Sequence, residues 1–353
     1  MARVLVTGAS GFIGQQLVGA LLARGDGVRC LVRSTSPAGP LQQLGAELIP
    51  GDVTQPDTLS AAMNGLDVVY HLAGLTKAIG LAAYCRVNES GVRHVVEACA
   101  RRTTPPVIVQ VSSLAAAGPM TDRERLRTED DLPRPVSHYG LSKRAGELAA
   151  EKLANRAPIT VVRPPIVLGP GDRTGLALFR SIRRFRSFLV LGVGRRVSVV
   201  HVTDLVNGLI AAAERGERLR APSPTNDVEE IAHPSGTALS NSGRGYYFLA
   251  ADEHPLFAEL GRMIARTVNR PYAWAIHLPM PSIWLVAGGG ELLGRITRRP
   301  RYLNLDRGRE LSAGHWICSP EKARRDLGFV PGASLTARIE QTTQWYREHG
   351  WLS

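Results

Sequence analysis

The chain has 353 residues, 44% hydrophobic and 21% charged, a make-up that allows a sizeable core and excludes collagen-like, disordered and disulfide-stapled classes. Its formal net charge is +12, and all but four of its basic residues are arginine. Cys30, Cys85, Cys99 and Cys318 form no CxxC pair, so no metal site or disulfide framework is expected, and a reduced cytoplasmic setting fits.

Val4-Leu5-Val6 is a short apolar strand that begins almost at the initiator, so no signal peptide is expected. Glycines follow, then a helical pattern over 15–22. Further strand cores lie at 28–32, 46–49, 68–72, 107–111 and 159–162, with helical stretches near 57–63 and 87–101. Apolar strands alternating with helices predict parallel strands joined by right-handed crossovers, hence a doubly wound α/β sheet. After Pro164-Pro165 the rhythm stops. One more strand is expected at 197–202, and a helix at 204–213 returns to the first domain. Residues 221–245, rich in Pro, Ser, Asn and Gly, predict a loop insertion. Helices at 257–268 and 335–349 complete a smaller C-terminal substrate-binding domain. The expected division is 1–165 with 196–220 against 166–195 with 221–353.

Two segments concentrate charge. Between Arg173 and Arg196 there are seven arginines and no acid, and Arg295 to Arg309 adds six against Asp306. Such clusters are either solvated faces or seats for an anion: phosphate, carboxylate, a carrier-bound acyl group or an acidic membrane surface. Nucleic acid is not expected, because no recognition fold or stacking motif accompanies them. The apolar run at 283–293 contains three consecutive glycines and Glu291, so it is too interrupted to span a bilayer. Peripheral membrane contact and an interior helix both explain it.

Thr7-Gly8-Ala9-Ser10-Gly11-Phe12-Ile13-Gly14 lies between the first strand and the first helix, the context that makes a glycine pattern a dinucleotide site. Gly8 serves the tight turn, Gly11 the approach of a pyrophosphate and Gly14 the packing of helix on strand, so the sheet is of Rossmann type. The helix start offers free N–H groups to the phosphates, with Ser10, Phe12 and Ile13 beside them. The second strand ends in Arg33-Ser34 with no acid in reach, which favours NADP over NAD, because an arginine can fork onto the 2′-phosphate. Asp52, followed by Val53, could accept from the adenine amino group.

Tyr139-Gly140-Leu141-Ser142-Lys143 puts a phenol and an ammonium four residues apart, on one face of a helix. A free tyrosine has a pKa of about 10. A nearby ammonium and an oxidised nicotinamide favour the phenolate and make Tyr139 a usable acid–base group. Ser113, at the end of the fifth strand after Ser112, can hydrogen-bond the same substrate oxygen.

With the turn, Asp52, His71-Leu72-Ala73-Gly74, Asn88, Ser112-Ser113, Tyr139/Lys143, Arg163-Pro164-Pro165-Ile166 and His201-Val202-Thr203-Asp204-Leu205, the chain resembles the extended short-chain dehydrogenases/reductases, which include nucleotide-sugar epimerases and dehydratases. The resemblance implies Tyr139 as general acid or base and Lys143 as holder of the nicotinamide ribose. Ser113 would polarise the substrate oxygen. Leu72, Ala73, Gly74 and Ser112 would line the cofactor, and Pro164 and Ile166 would lie near the nicotinamide. For Asn88 a structural and a functional role stand level. A homodimer through paired helices is also implied.

Within that family the chain is closest in character to the 3β-hydroxysteroid dehydrogenase and dihydroflavonol reductase branch. Nucleotide-sugar members commonly carry an Arg-Asp pair where this chain has Val197-Ser198, and Arg33 leans the same way. Trp274, Trp284 and Trp316 are expected either to line a pocket for a bulky, partly apolar substrate or to form the second domain's core, and Arg173 or Arg180 to hold an acidic group on it. The alternatives are an epimerase or dehydratase that retains NAD, and a non-catalytic NADP-binding sensor or scaffold.

Overall fold

Short valine, isoleucine and leucine runs bounded by glycine and polar residues become strands, and in the computed structural model, which describes residues 1–191, 194–221, 243–297, 301 and 304–352, they form a seven-stranded parallel sheet and two separate parallel pairs. The first half runs β1 (Arg3–Thr7), α1 (Phe12–Ala23), β2 (Gly27–Val32), α2 (Gly39–Gln43), β3 (Glu47–Pro50), β4 (Val68–His71), α3 (Leu81–Asn88) and α4 (Ser90–Ala100). It continues through β5 (Val107–Val111), α5 (Leu114–Ala117), α6 (His138–Glu151) and β6 (Ile159–Val162). Then come β7 (Ile166–Leu168), α7 (Leu176–Phe185), β8 (Ser187–Leu191), β9 (Val199–His201), α8 (Val202–Arg215) and β10 (Tyr246–Tyr247). Last are α9 (Phe257–Thr267), β11 (Trp274–Leu278), α10 (Met280–Thr297), α11 (Leu305–Ser312), α12 (Glu321–Leu327) and α13 (Leu335–Glu348).

The sheet order is β10-β6-β5-β4-β1-β2-β3. Chain direction through the sheet therefore reverses at β1, and a crevice opens beyond the carboxyl ends of β1 and β4. Alternation along β1 fills both faces. Val4 and Val6 join Leu17 and Leu21 of α1 and Leu205 and Leu209 of α8, while Leu5 joins Val92 and Val96 of α4 on the other side. A third core gathers Phe179 and Ile182 of α7, Phe188 of β8, Ile264 of α9 and Tyr346 of α13. Each such side chain contributes on the order of 2 kcal/mol by leaving water.

The structure departs from the sequence pattern in four places. The helix expected at 87–101 is two helices, α3 and α4, broken at Glu89, where the Asn88 side chain turns away to bond Leu75. The stretch at 57–63 is two short 3-10 turns, Pro56–Thr58 and Ala61–Met63. The strand expected at 197–202 is the shorter β9, which pairs with β7 outside the main sheet. The seventh strand of that sheet is instead β10, whose Tyr246 and Tyr247 register with Val161 and Val162. Except at its ends, the insertion at 221–245 lies outside the described residues.

Candidate active site

The turn after β1 is built for close backbone approach. Gly8 has φ of +71°, and a Cβ there would stand 2.6 Å from the amide nitrogen of Ala73 in the loop after β4. Thr7 ties the two strand ends together: its hydroxyl meets Nδ1 of His71 at 2.7 Å and accepts from the Ala73 N–H at 3.2 Å. Burial, with the Lys143 charge nearby, holds His71 down at about 3, so the imidazole is neutral. At the start of α1, Gly11 is the N-cap and supplies no side-chain acceptor, so the first helical N–H groups face the crevice uncapped. This donor set, with a positive helix end, fits a dinucleotide pyrophosphate.

The other cofactor candidates border the same crevice edge. Arg33 and Ser34 follow β2 and are exposed, and the Arg33 guanidinium has no protein partner among the described residues. Asp52 follows β3; its Oδ1 accepts from the N–H and hydroxyl of Thr54 at 2.8 and 2.9 Å, which fixes the carboxylate. Val53 is buried behind it. Leu72, Ala73 and Gly74 follow β4, and a Cβ on Gly74 would stand 3.5 Å from Nζ of Lys143. Asn88 clamps this loop from below: it accepts from the Leu75 N–H at 2.8 Å and donates to the Leu75 carbonyl at 2.9 Å and Ser142 at 2.9 Å. These bonds tie α3 to the loop after β4 and to α6. Ser112 is also committed elsewhere, its buried hydroxyl donating to Glu147 at 2.6 Å, so the side chain does not reach the crevice.

Helix α6 carries the phenol and the ammonium. It lies so close to α5 that a Cβ at Gly140 would overlap the Ala115 carbonyl oxygen, and this approach brings Tyr139 to Ser113. Burial pushes the Tyr139 phenol up to about 12, against the lowering hydrogen bond of Ser113; Glu310 raises it further and Arg307 lowers it. Lys143 is buried, its Nζ donating to the Val111 carbonyl at 2.7 Å. Desolvation lowers the ammonium to about 8, with Glu147 opposing. Lys143 therefore sits below the cofactor crevice, and α11 adds the charges of Glu310 and Arg307 beside Tyr139.

The contribution of α11 went unread in the sequence. The Asp306 carboxylate accepts from the N–H of His138 and, at 3.1 Å, of Tyr139, so it caps α6 at the phenol's own backbone. Ser137, the N-cap of α6, donates to Glu310 at 2.8 Å while accepting from Gly140 at 2.9 Å. The only local signal was Asn304, which caps α11 through the Arg307 N–H at 2.9 Å.

A cavity of about 370 Å³ opens in front of Ser113 and Tyr139. Apolar side chains make most of its wall, among them Ile166, Val167, Leu178, Phe179, Leu260 and Trp316. Arg307 and Glu310 supply charge beside the phenol. Pro165 and Ile166 line it, whereas Pro164 is buried and uses its carbonyl to accept from Leu114 at 2.9 Å. Of the three tryptophans expected at the pocket or in the core, only Trp316 lines the cavity. Trp274 is 77% exposed because β11 turns its ring outward, and Trp284, 40% exposed, lays one edge of its ring against Gly308 of α11. Arg173 and Arg180 also miss it: Arg173 stacks over the Trp351 ring and Arg180 donates to the Trp351 carbonyl at 3.1 Å. In the segment at 201–205, Asp204 binds Arg338 of α13, a structural link.

A family model described as the NAD dependent epimerase/dehydratase family matches residues 4–226. Ceramide reductase of Caulobacter vibrioides is 32% identical over 351 residues, 99% of this chain and 96% of that protein. The 4-hydroxy-2-methyl-3-oxo-4-farnesyl-3,4-dihydroquinoline-1-oxide ketoreductase of Stigmatella aurantiaca is 36% identical over 334 residues, 93% of this chain and 92% of its own. Among solved structures, UDP-glucuronic acid 4-epimerase from Bacillus cereus in complex with NAD shares the fold, with a TM-score of 0.71 at 22% identity, covering 98% of this chain and 99% of that one.

Proposed function

This chain belongs to the NAD-dependent epimerase/dehydratase family of extended short-chain dehydrogenase/reductase enzymes, and within it we propose a reductase that interconverts a ketone and a secondary alcohol on a bulky, largely apolar substrate, with NADP preferred over NAD. The observation that carries this is the apolar cavity whose polar end is Ser113 and Tyr139. The named activities of the two relatives, on a ceramide and on a farnesylated ketone, support the same substrate class.

The cofactor's part is to deliver or take a hydride at the substrate carbon. The turn from Gly8 to Gly14 and the uncapped start of α1 hold the pyrophosphate, Arg33 with Ser34 the 2′-phosphate, and Asp52 the adenine. Residues 1–165 with 196–220, completed by β10, form this cofactor-holding part, and most cavity-covering elements come from the remainder. Lys143, under Gly74, holds the nicotinamide ribose. Ser113 orients the carbonyl oxygen. Tyr139, held near 12, keeps its proton at neutral pH and gives it to that oxygen as the carbon is reduced. In the reverse direction the phenol must be lowered first, which the positive charge of an oxidised nicotinamide favours.

Purification without added nucleotide, extraction of any bound dinucleotide, and separate titration with NADPH and NADH test this reading. An empty protein that binds NADPH more tightly is expected. Tightly retained NAD would overturn it in favour of an epimerase or dehydratase.

A further inference from the structure

Of the large apolar side chains exposed among the described residues, all but Met1, Leu44, Ile79 and Val330 fall between Phe185 and Ile296. In the β8–β11 pair, Phe188 and Val190 enter the third core, so Leu189 between them points outward. Its cross-strand partner Ile276 is exposed with it, as is Trp274. Only Pro279 then separates β11 from α10. That helix buries Ile283, Ala287 and Gly294 and turns the opposite stripe outward, with Leu285 79%, Leu292 62% and Ile296 70% exposed. A helix apolar on all sides belongs in apolar surroundings on all sides. A Cβ at Gly288 or Gly289 would meet nothing, so protein packing does not require these glycines.

The fringe of this face is cationic. Arg184 and Arg186 stand where α7 hands over to β8, and Arg295 lies in the last turn of α10. From Arg173 to Arg196 there is no acid, and from Asn269 to Thr297 the single acid is Glu291, paired with Arg295 at 3.0 Å. We propose that β8, β11 and α10 form a docking surface for an anionic lipid bilayer, with α10 seated in the headgroup plane rather than spanning it. Exposed leucine, isoleucine and tryptophan enter the acyl boundary while arginines meet lipid phosphates. A second copy fits less well, because a two-fold contact would set these arginines against one another.

The other side of α10 leads to the cavity. Trp284 and Ala287 close over Gly308 of α11, and Arg307, Glu310 and Leu311 of the same helix line the cavity wall. Docking would thus place the cavity one helix from the lipid, and that consequence rests on the apolar-substrate reading; the docking itself does not.

The test is sedimentation of the full chain with phosphatidylcholine vesicles and with vesicles that also contain phosphatidylglycerol. Binding to the anionic vesicles is expected, weakened by salt and by omission of the anionic lipid. The variant Leu285→Ser/Leu292→Ser/Ile296→Ser should lose roughly ten-fold or more in binding with its melting temperature unchanged. For the unaltered chain, tryptophan fluorescence should shift to the blue on vesicles and be quenched by brominated lipid. Absence of binding to anionic vesicles, equal binding by the triple variant, or a dimer that buries this face in place of vesicle binding would each overturn the proposal.

Discussion

Replacing Arg33 by alanine isolates the choice between the two dinucleotides. The guanidinium is exposed and has no protein partner among the described residues, so its loss should leave the melting temperature of the empty protein within a degree or so. A charge-assisted hydrogen bond contributes about 1.5–3 kcal/mol, and a solvent-exposed site belongs at the low end of that range. At 1.4 kcal/mol per decade, the Kd for NADPH should rise about 10- to 30-fold. NADH lacks the 2′-phosphate, so its Kd should change less than about two-fold. Fluorescence titration of both reduced dinucleotides, at two ionic strengths, reads this directly. The preference for NADPH in the unaltered protein should shrink as salt rises, and in Arg33→Ala it should be nearly gone. An unchanged NADPH affinity, or an equal loss for both nucleotides, would refute the assignment of Arg33.

Asp306→Ala leaves the N–H groups of His138 and Tyr139 without their acceptor; a loss of about 1–3 kcal/mol in stability should accompany a fall in kcat with NADPH affinity unchanged. Asp306→Asn should recover part of both, and an unaltered kcat in the alanine variant would remove α11 from the account. Gly140→Ala forces a Cβ into the Ala115 carbonyl, so thermal denaturation should show a cost of about 1–3 kcal/mol, and kcat should fall as Tyr139 parts from Ser113. Lys143 loses its proton near 8 in the folded protein against 10.5 ordinarily, so the unfolded chain binds more protons between those values and stability rises with pH there. Lys143→Met should abolish that rise and gain on the order of 2 kcal/mol at pH 7 once the Val111 carbonyl is left bare; a less stable variant at pH 7 would contradict it.

The parts of the site legible in the sequence are those where chemistry and backbone geometry coincide within one turn of chain. Gly8 to Gly14, Ser113 at a strand end, and Tyr139 with Lys143 one helical turn apart each announce their place, and the sheet puts them around one crevice. What stayed hidden depends on long-range packing. Asp306 reaches Tyr139 across 167 positions, and in the sequence it was only the acid in a basic run. Tyr246 and Tyr247 make too short a strand to show a period, and their pairing with β6 is a matter of tertiary contact. Trp274 and Trp284 read more readily as core than as pocket wall, because composition carries no inside or outside; the fold exposes Trp274 and leaves Trp284 half-exposed against α11. The spacing of Tyr139 and Lys143 could not show that the lysine ammonium also donates to the Val111 carbonyl.

The central claim is hydride transfer to a ketone with a proton from Tyr139. The most direct measurement is turnover of a long-chain β-keto ester with NADPH deuterated at the transferable C4 position, comparing the unaltered protein with Tyr139→Phe. The account predicts deuterium on the carbinol carbon, one NADPH consumed per alcohol formed, and a rate about 100- to 10,000-fold lower in the variant with its NADPH affinity retained. Deuterium absent from the product, or a variant as fast as the unaltered protein, would contradict it.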